Sequence, residues 1–271
     1  MNLDFRSEAR RTRRMSSTAH DGRTGVMSYT FKLGRVMVAL FILAIWISAS
    51  ASGMLPGPVE VITYVMSMDP KEVCPQVLRT LYNSVTGFSL SFLISMVLGL
   101  LSHKYSFVRG FSEALSEIFN STSALVWSLV LVATLGVLSP LPPILVVAAV
   151  TLPHVLTATI SALSSADPSL LEAVRSIGGK PSDEFFEVVL PSSVPLLASA
   201  SRVGLGTALR ISVVAEAFGS SGGVGYMIIR SYNLADASGV LAWSTILVLL
   251  VLGLDQLILK PMERRARRWL E

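Results

Sequence analysis

Charge is scarce in this chain. Only 15% of its 271 residues are Asp, Glu, Lys or Arg, against about 25% in a soluble domain. Residues 80–103 and 118–166 contain none of the four. Runs of that length argue against a water-soluble globule and point to a chain solvated by lipid. Cysteine is rarer still: Cys74 stands alone, which excludes an intramolecular disulfide and a cysteine metal cluster. The three histidines, His20, His103 and His154, have no metal-site spacing, so no metal site is expected. A phosphate loop is also lacking. The glycine-rich stretch Ser220–Gly225 has no strand before it and no Lys-Ser/Thr after it, and no Walker A sequence occurs elsewhere. The chain is therefore expected to hold no catalytic residues and no cofactor of its own.

What is present is apolar and periodic. Hydrophobic residues make up 52% of the chain, and its mean hydropathy is +0.62. Apolar runs at 36–55, 80–103, 118–166, about 189–217 and about 237–258 read as membrane spans. Residues 118–166 are too long for one helix, and Ser139-Pro140-Leu141-Pro142-Pro143 divides them. The fold class is thus all-α, a polytopic membrane protein with about six transmembrane helices. Gly87, Ser91, Ser95 and Gly99 recur every four residues in the second span, and Ala200, Gly204 and Ala208 do so in the fifth. Such stripes let a neighbouring helix approach closely. Ala49-Ser50-Ala51 resembles a signal-peptidase site, but the charged stretch before it is long, so 36–55 is read as an uncleaved helix.

Charge placement sets the orientation. Residues 1–30 are rich in Arg, Ser, Thr and Gly and are expected to form a disordered basic cytoplasmic tail, with the transmembrane domain over 31–271. The pairs Arg10-Arg11 and Arg13-Arg14 are read as positive-inside charges and not as a nucleic-acid site. With both termini inside, loops 104–117 and 164–188 are cytoplasmic. Cytoplasmic segments then carry 17 of the 22 Lys and Arg, and external ones only Lys71, Arg79 and Arg230. Arg202 and Arg210 fall within the fifth span.

The segment from Asp167 to Pro191 is the longest strongly polar stretch between the first and last spans. Asp167 suits an N-cap and Pro168 the first helical position. Leu170, Leu171, Val174 and Ile177 follow at helical spacing. Gly178-Gly179 permits the left-handed turn that ends a helix, and Pro181 opens a second short helix that closes at Leu190-Pro191. A helix this short with one apolar stripe must dock on something to be stable.

Glu172-Ala173-Val174, Gly178, Val188 and Leu190-Pro191 stand in the register of the EAA loop. The chain thereby resembles the permease subunits of binding-protein-dependent ABC importers. Pro191, Pro195, Arg202, Glu216 and Gly223-Val224-Gly225-Tyr226 follow the spacing of the same family. Leu55-Pro56-Gly57-Pro58 and the Pro261–Trp269 ending are similar to its sulfonate, taurine and nitrate branch. Arg210 departs from the family, and so does the absence of proline from Thr80 to Ser139, which implies a straighter third span.

The resemblance implies a type I ABC importer permease fold and inward transport by alternating access. The partners implied are two ATPase subunits, which hold the ATP and Mg, a second permease chain forming a homodimer, and an extracytoplasmic substrate-binding protein. The location implied is the cell membrane. Glu172, Ala173, Gly178, Gly179, Leu190 and Pro191 would couple to the ATPase, with Glu172 in polar contact, Gly178 as the bend and Leu190-Pro191 as the exit into the fifth span. Arg202, Arg210 and Glu216 would face the translocation pathway. The solute expected is a small anion such as a sulfonate, taurine or nitrate. Bicarbonate, a thiamine precursor, or a channel or exporter subunit without a binding protein are the alternatives.

Overall fold

A computed structural model of the chain describes Gly34, Met37, Val38 and residues 40–53, 55–136 and 139–261. The basic segment 1–30 and residues 262–271 lie outside the described residues. The chain divides into two units, one ending at Glu60 and one beginning at Val61.

In the first unit, α1 (Leu40–Ala51) is apolar but shorter than a membrane crossing needs. Gly53, at φ +74°, follows its end. The Trp46 indole N–H donates to the Pro56 carbonyl at 3.0 Å, folding the chain back over the Leu55–Pro58 step. α2 (Pro58–Ser67) leads from there into the second unit.

The second unit is a helical bundle. Asp69 caps α3 (Pro70–Lys104) by accepting the Lys71 N–H at 2.8 Å, with Pro70 at the first position. This start signal sets α3 ten residues ahead of the expected span, and Pro75 is carried inside the helix. α4 (Ser106–Ser121) occupies the stretch that charge alone assigned to a loop. Phe107, Phe111 and Leu115 recur every four residues there, and the interspersed charges hid that period. α5 (Ala124–Leu135) follows at 90° to α4. The expectation of a straight third span is therefore wrong. Thr122 and Ser123 are both extended, and the Ser123 hydroxyl accepts the Leu125 N–H at 3.4 Å, so a serine cap makes the corner without proline.

α6 (Leu141–Leu163) precedes α7 (Pro168–Ser176). Then α8 (Pro181–Asp183), a π-helical segment (Glu184–Val189) and α9 (Leu190–Gly219) run together as one helix of 39 residues. Leu190-Pro191 does not close a separate short helix as expected. Pro191 has no N–H and would crowd the carbonyl four residues back. The π turn before it widens the backbone, and the Leu190 N–H reaches the Phe185 carbonyl instead. α10 (Val224–Asn233), α11 (Ala237–Leu254) and a second π segment (Asp255–Leu259) complete the unit.

Among the described residues, α3, α6, Pro181–Gly219 and Ala237–Leu257 are each long and apolar enough to cross a membrane, and the bent α4–α5 pair is a fifth candidate. The bundle buries many polar side chains beside its apolar ones and turns large apolar side chains outward. Ser84, Ser91, Ser95, Thr151, Thr159 and Ser212 are buried, whereas Leu93, Val97, Leu249 and Leu252 are exposed. That is the arrangement expected where the solvent is hydrocarbon. α3 packs chiefly on α6, and α6 on α9. A Cβ on Gly87 would lie 2.7 Å from the Ile144 carbonyl, and one on Gly99 would lie 2.6 Å from Thr159 Cγ2. The small-residue stripe read from sequence is the seam of this contact. Phe88, Val147, Val155 and Ala208 form the apolar centre between the three helices.

Candidate functional site

Three polar constellations stand on or beside the long helix. The first is α7 and its exit. The Asp167 carboxylate accepts the Ser169 N–H at 2.9 Å and the Ser169 hydroxyl at 2.8 Å. The backbone bond first, then the hydroxyl, holds its carboxyl below the usual carboxylate range. At the other end the Gly178 N–H reaches the Arg175 carbonyl and the Gly179 N–H the Val174 carbonyl, both at 3.0 Å. The two glycines have different reasons. Gly178 sits at φ +83°, in the left-handed region. Gly179 lies against Val174, whose Cγ1 and carbonyl would be 2.5 and 2.8 Å from a Cβ. Arg175 then forks onto Glu184 through Nε–Oε1 at 2.8 Å and Nη2–Oε2 at 2.9 Å, tying α7 to the start of the long helix.

α7 buries none of its residues. Leu170 is 51% exposed and Ile177 82%, so half of the predicted apolar stripe lies open. Glu172 and Ala173 are exposed on the same short helix. Glu172 makes no hydrogen bond among the described residues. Leu190 is half-buried and Pro191 exposed, inside the helix and away from α7 in sequence.

The second constellation surrounds Glu216, which is fully buried. Its Oε1 accepts from the Asn83 amide at 2.9 Å and the Ser212 hydroxyl at 3.2 Å. Its Oε2 accepts from the Thr80 hydroxyl at 2.8 Å and the Gly225 N–H at 3.1 Å. Four donors around two oxygens satisfy a carboxylate that has no ion-pair partner among the described residues.

The third centres on Asp255. Arg202 donates through Nε to Oδ1 at 3.0 Å and through Nη2 to Oδ2 at 3.2 Å, and the Lys260 amine lies 3.3 Å from Oδ2. Arg210 is exposed and makes no hydrogen bond or ion pair among the described residues. The structure therefore does not gather Arg202, Arg210 and Glu216 into one site. Arg202 and Glu216 are 14 positions apart on one helix, roughly 21 Å along its axis.

Sequence reasoning missed Thr80, Asn83 and Asp255 as partners. Gln76, Thr80 and Asn83 are spaced four and three apart on α3, a polar stripe entering an apolar run. That stripe was the available signal.

An all-helical bundle with buried serines and threonines, an apolar exterior and one exposed amphipathic hairpin has the type I ABC importer permease fold. The chain belongs to the family of binding-protein-dependent transport system inner membrane components, whose model matches residues 91–265. It is a multi-pass membrane protein and, by its family, a transport subunit. It is 27% identical over 229 residues to a probable ABC transporter permease protein of Brucella abortus, covering 83% of this chain and 91% of that one. It is 25% identical over 244 residues to the nitrate import permease of a Synechocystis species, covering 85% and 86%. Its fold is similar to a solved chain of the MetNI methionine ABC transporter in inward-facing conformations. The TM-score there is 0.62 at 22% identity, over 73% of this chain and 99% of that one.

Proposed function

We propose that this chain is the membrane permease of an ATP-driven importer and moves a small anionic solute, such as a sulfonate, taurine or nitrate, by alternating access. The observation that carries the reading is α7. It is a well-capped helix with no buried residue, an open apolar edge at Leu170 and Ile177, and a fixed salt bridge to the long helix. Such a helix is finished on its own side and lacks a partner on the other. An ATPase groove, one on each of two permease chains, supplies that partner. Glu172 makes the polar contact, Ala173 lets the groove approach, and Gly178 and Gly179 set the turn. Leu190 and Pro191 lie where the π segment passes into α9, so a push on α7 enters the helix there.

The charge bias supports an orientation with both termini and α7 in the cytoplasm and the Ser220–Gly225 turn outside, facing an extracytoplasmic binding protein. ATP and Mg belong to the ATPase subunits. Two copies of this chain form the transmembrane pair. Arg210 is assigned to the pathway, since its charge is exposed and unmatched among the described residues. Arg202, held by Asp255, contributes by fixing α9 to the last helix. The solute class rests on the nitrate permease relative and on the Leu55–Pro58 step.

The test is uptake into proteoliposomes holding the permease, its ATPase and the binding protein. ATP-dependent accumulation of a labelled sulfonate, taurine or nitrate is expected. Solute movement at the same rate without ATP would instead favour a channel.

A further inference from the structure

The chain between α9 and α10 is held more tightly than a surface turn needs to be. Gln76 Oε1 accepts the Gly223 N–H at 2.7 Å, and Thr80 Oγ1 accepts the Val224 N–H at 2.8 Å. Arg79 donates to the Ser221 hydroxyl at 3.3 Å, and its guanidinium lies against Gly222. The Thr80 hydroxyl in turn donates a hydrogen bond to Glu216 Oε2, which also accepts the Gly225 N–H. Gly223, at φ +103°, rests so close to the Glu216 carboxylate that a Cβ there would overlap it. One turn of α3, carrying Thr80 and Asn83, thus meets the end of α9 and the start of α10 at one buried carboxyl group. Only Ser221 of the turn is exposed.

We propose that Glu216, Thr80 and Asn83 form a latch that pins the Ser220–Gly225 turn to α3, and that Glu216 works as a positioning residue and not as a charge along the solute path. The proposal rests on the permease reading for its consequence. The latch sits at the far end of the helix whose other end is bolted to α7, so releasing or holding it decides whether movement at α7 reaches the opposite mouth.

The hydrogen-bond pattern separates this role from a charge role. A glutamine at 216 can keep its carbonyl oxygen on the Gly225 N–H, which cannot reverse. Its amide then faces Asn83, which can flip to accept, and Ser212, whose hydroxyl can also accept. Glu216→Gln therefore preserves the latch without the charge. Thr80→Val keeps the shape and the charge but removes the relay to Val224.

The experiment uses Ser221→Cys in a Cys74→Ser chain assembled with its ATPase, and reads maleimide labelling at position 221 in nanodiscs and solute uptake in proteoliposomes that also hold the binding protein. Thr80→Val is expected to raise the labelling rate roughly tenfold, since it removes the buried hydrogen bonds to Val224 and Glu216. It is also expected to erase the change in labelling that trapping the ATPase produces. Glu216→Gln is expected to label like the parent and retain uptake. Unchanged labelling in Thr80→Val overturns the latch. Loss of uptake in Glu216→Gln with parental labelling overturns the positioning role and returns Glu216 to the pathway. Labelling needs no transported solute. Failure of the parent to take up any solute would therefore count against the permease reading alone.

Discussion

The two ends of the 39-residue helix Pro181–Gly219 are built on opposite plans. At the α7 end the polar groups are satisfied locally: Asp167 by Ser169, Arg175 by Glu184, Lys180 N–H by Asp183. Leu170, Glu172 and Ile177 remain open there. At the Gly219 end the Glu216 carboxylate reaches across to another helix, over 133 positions in sequence to Asn83 and 136 to Thr80. One end leaves α7 without a buried residue. The other fastens the chain to itself. The helix between them needs no hinge of its own, and the π segment at Glu184–Val189 lets Pro191 sit in it without a break.

The largest expected effect breaks the fastened end. Glu216→Ala strands the Asn83 amide and the Gly225 N–H in the interior, a loss on the order of 3 kcal/mol. The thermal midpoint of the detergent-purified protein should fall clearly, and nothing comparable should follow Glu172→Ala. Next comes the turn after α7. Gly179→Val forces a side chain into Val174, whereas Gly178→Ala adds only the strain of a left-handed residue, about 1 kcal/mol. Hydrogen exchange across residues 168–180 should rise in both, more for Gly179→Val, with the bundle unaffected.

A smaller effect is expected at Asp255→Asn, which weakens a half-exposed pair that solvent already screens. Its signature is local, in faster exchange near Arg202 and Lys260, and a drop in midpoint as large as that of Glu216→Ala would overturn the contrast. The smallest effect is a pH dependence at the α7 cap. The Asp167 carboxyl is held low in the folded chain, so its contribution is full above the ordinary carboxylate range and fades as pH falls through the folded value. Protection of the Ser169 amide should therefore decline below about pH 4. Asp167→Asn, which still caps but does not titrate, should show no such decline.

Much of the architecture was legible because the membrane permits so few alternatives. Charge-free runs located α3 and α6, apolar runs located α9 and α11, and the glycine and proline signals around α7 located its start and stop. The α4 helix was hidden because Arg109, Glu113 and Glu117 look like a loop when their apolar neighbours are ignored. The corner at Thr122–Ser123 was hidden because a serine cap bends a chain without a proline to announce it. The Glu216 cluster was half visible. A lone carboxylate in a span demands donors, but Thr80, Asn83 and Ser212 look like ordinary small polar residues until the fold brings them within reach. The pairing of Arg202 with Asp255 needed the last helix laid beside α9, which no local pattern encodes.

The most direct test of the account is whether α7 takes the ATPase. The chain is co-expressed with its ATPase subunit and purified through a tag on the permease, as wild type and as the double variant Glu172→Ala, Gly178→Pro. The account predicts that wild type carries the ATPase through purification and the variant does not, while both insert in the membrane equally. An ATPase retained in full by the variant would show that α7 is only a surface hairpin and that the driving subunit, if there is one, binds elsewhere.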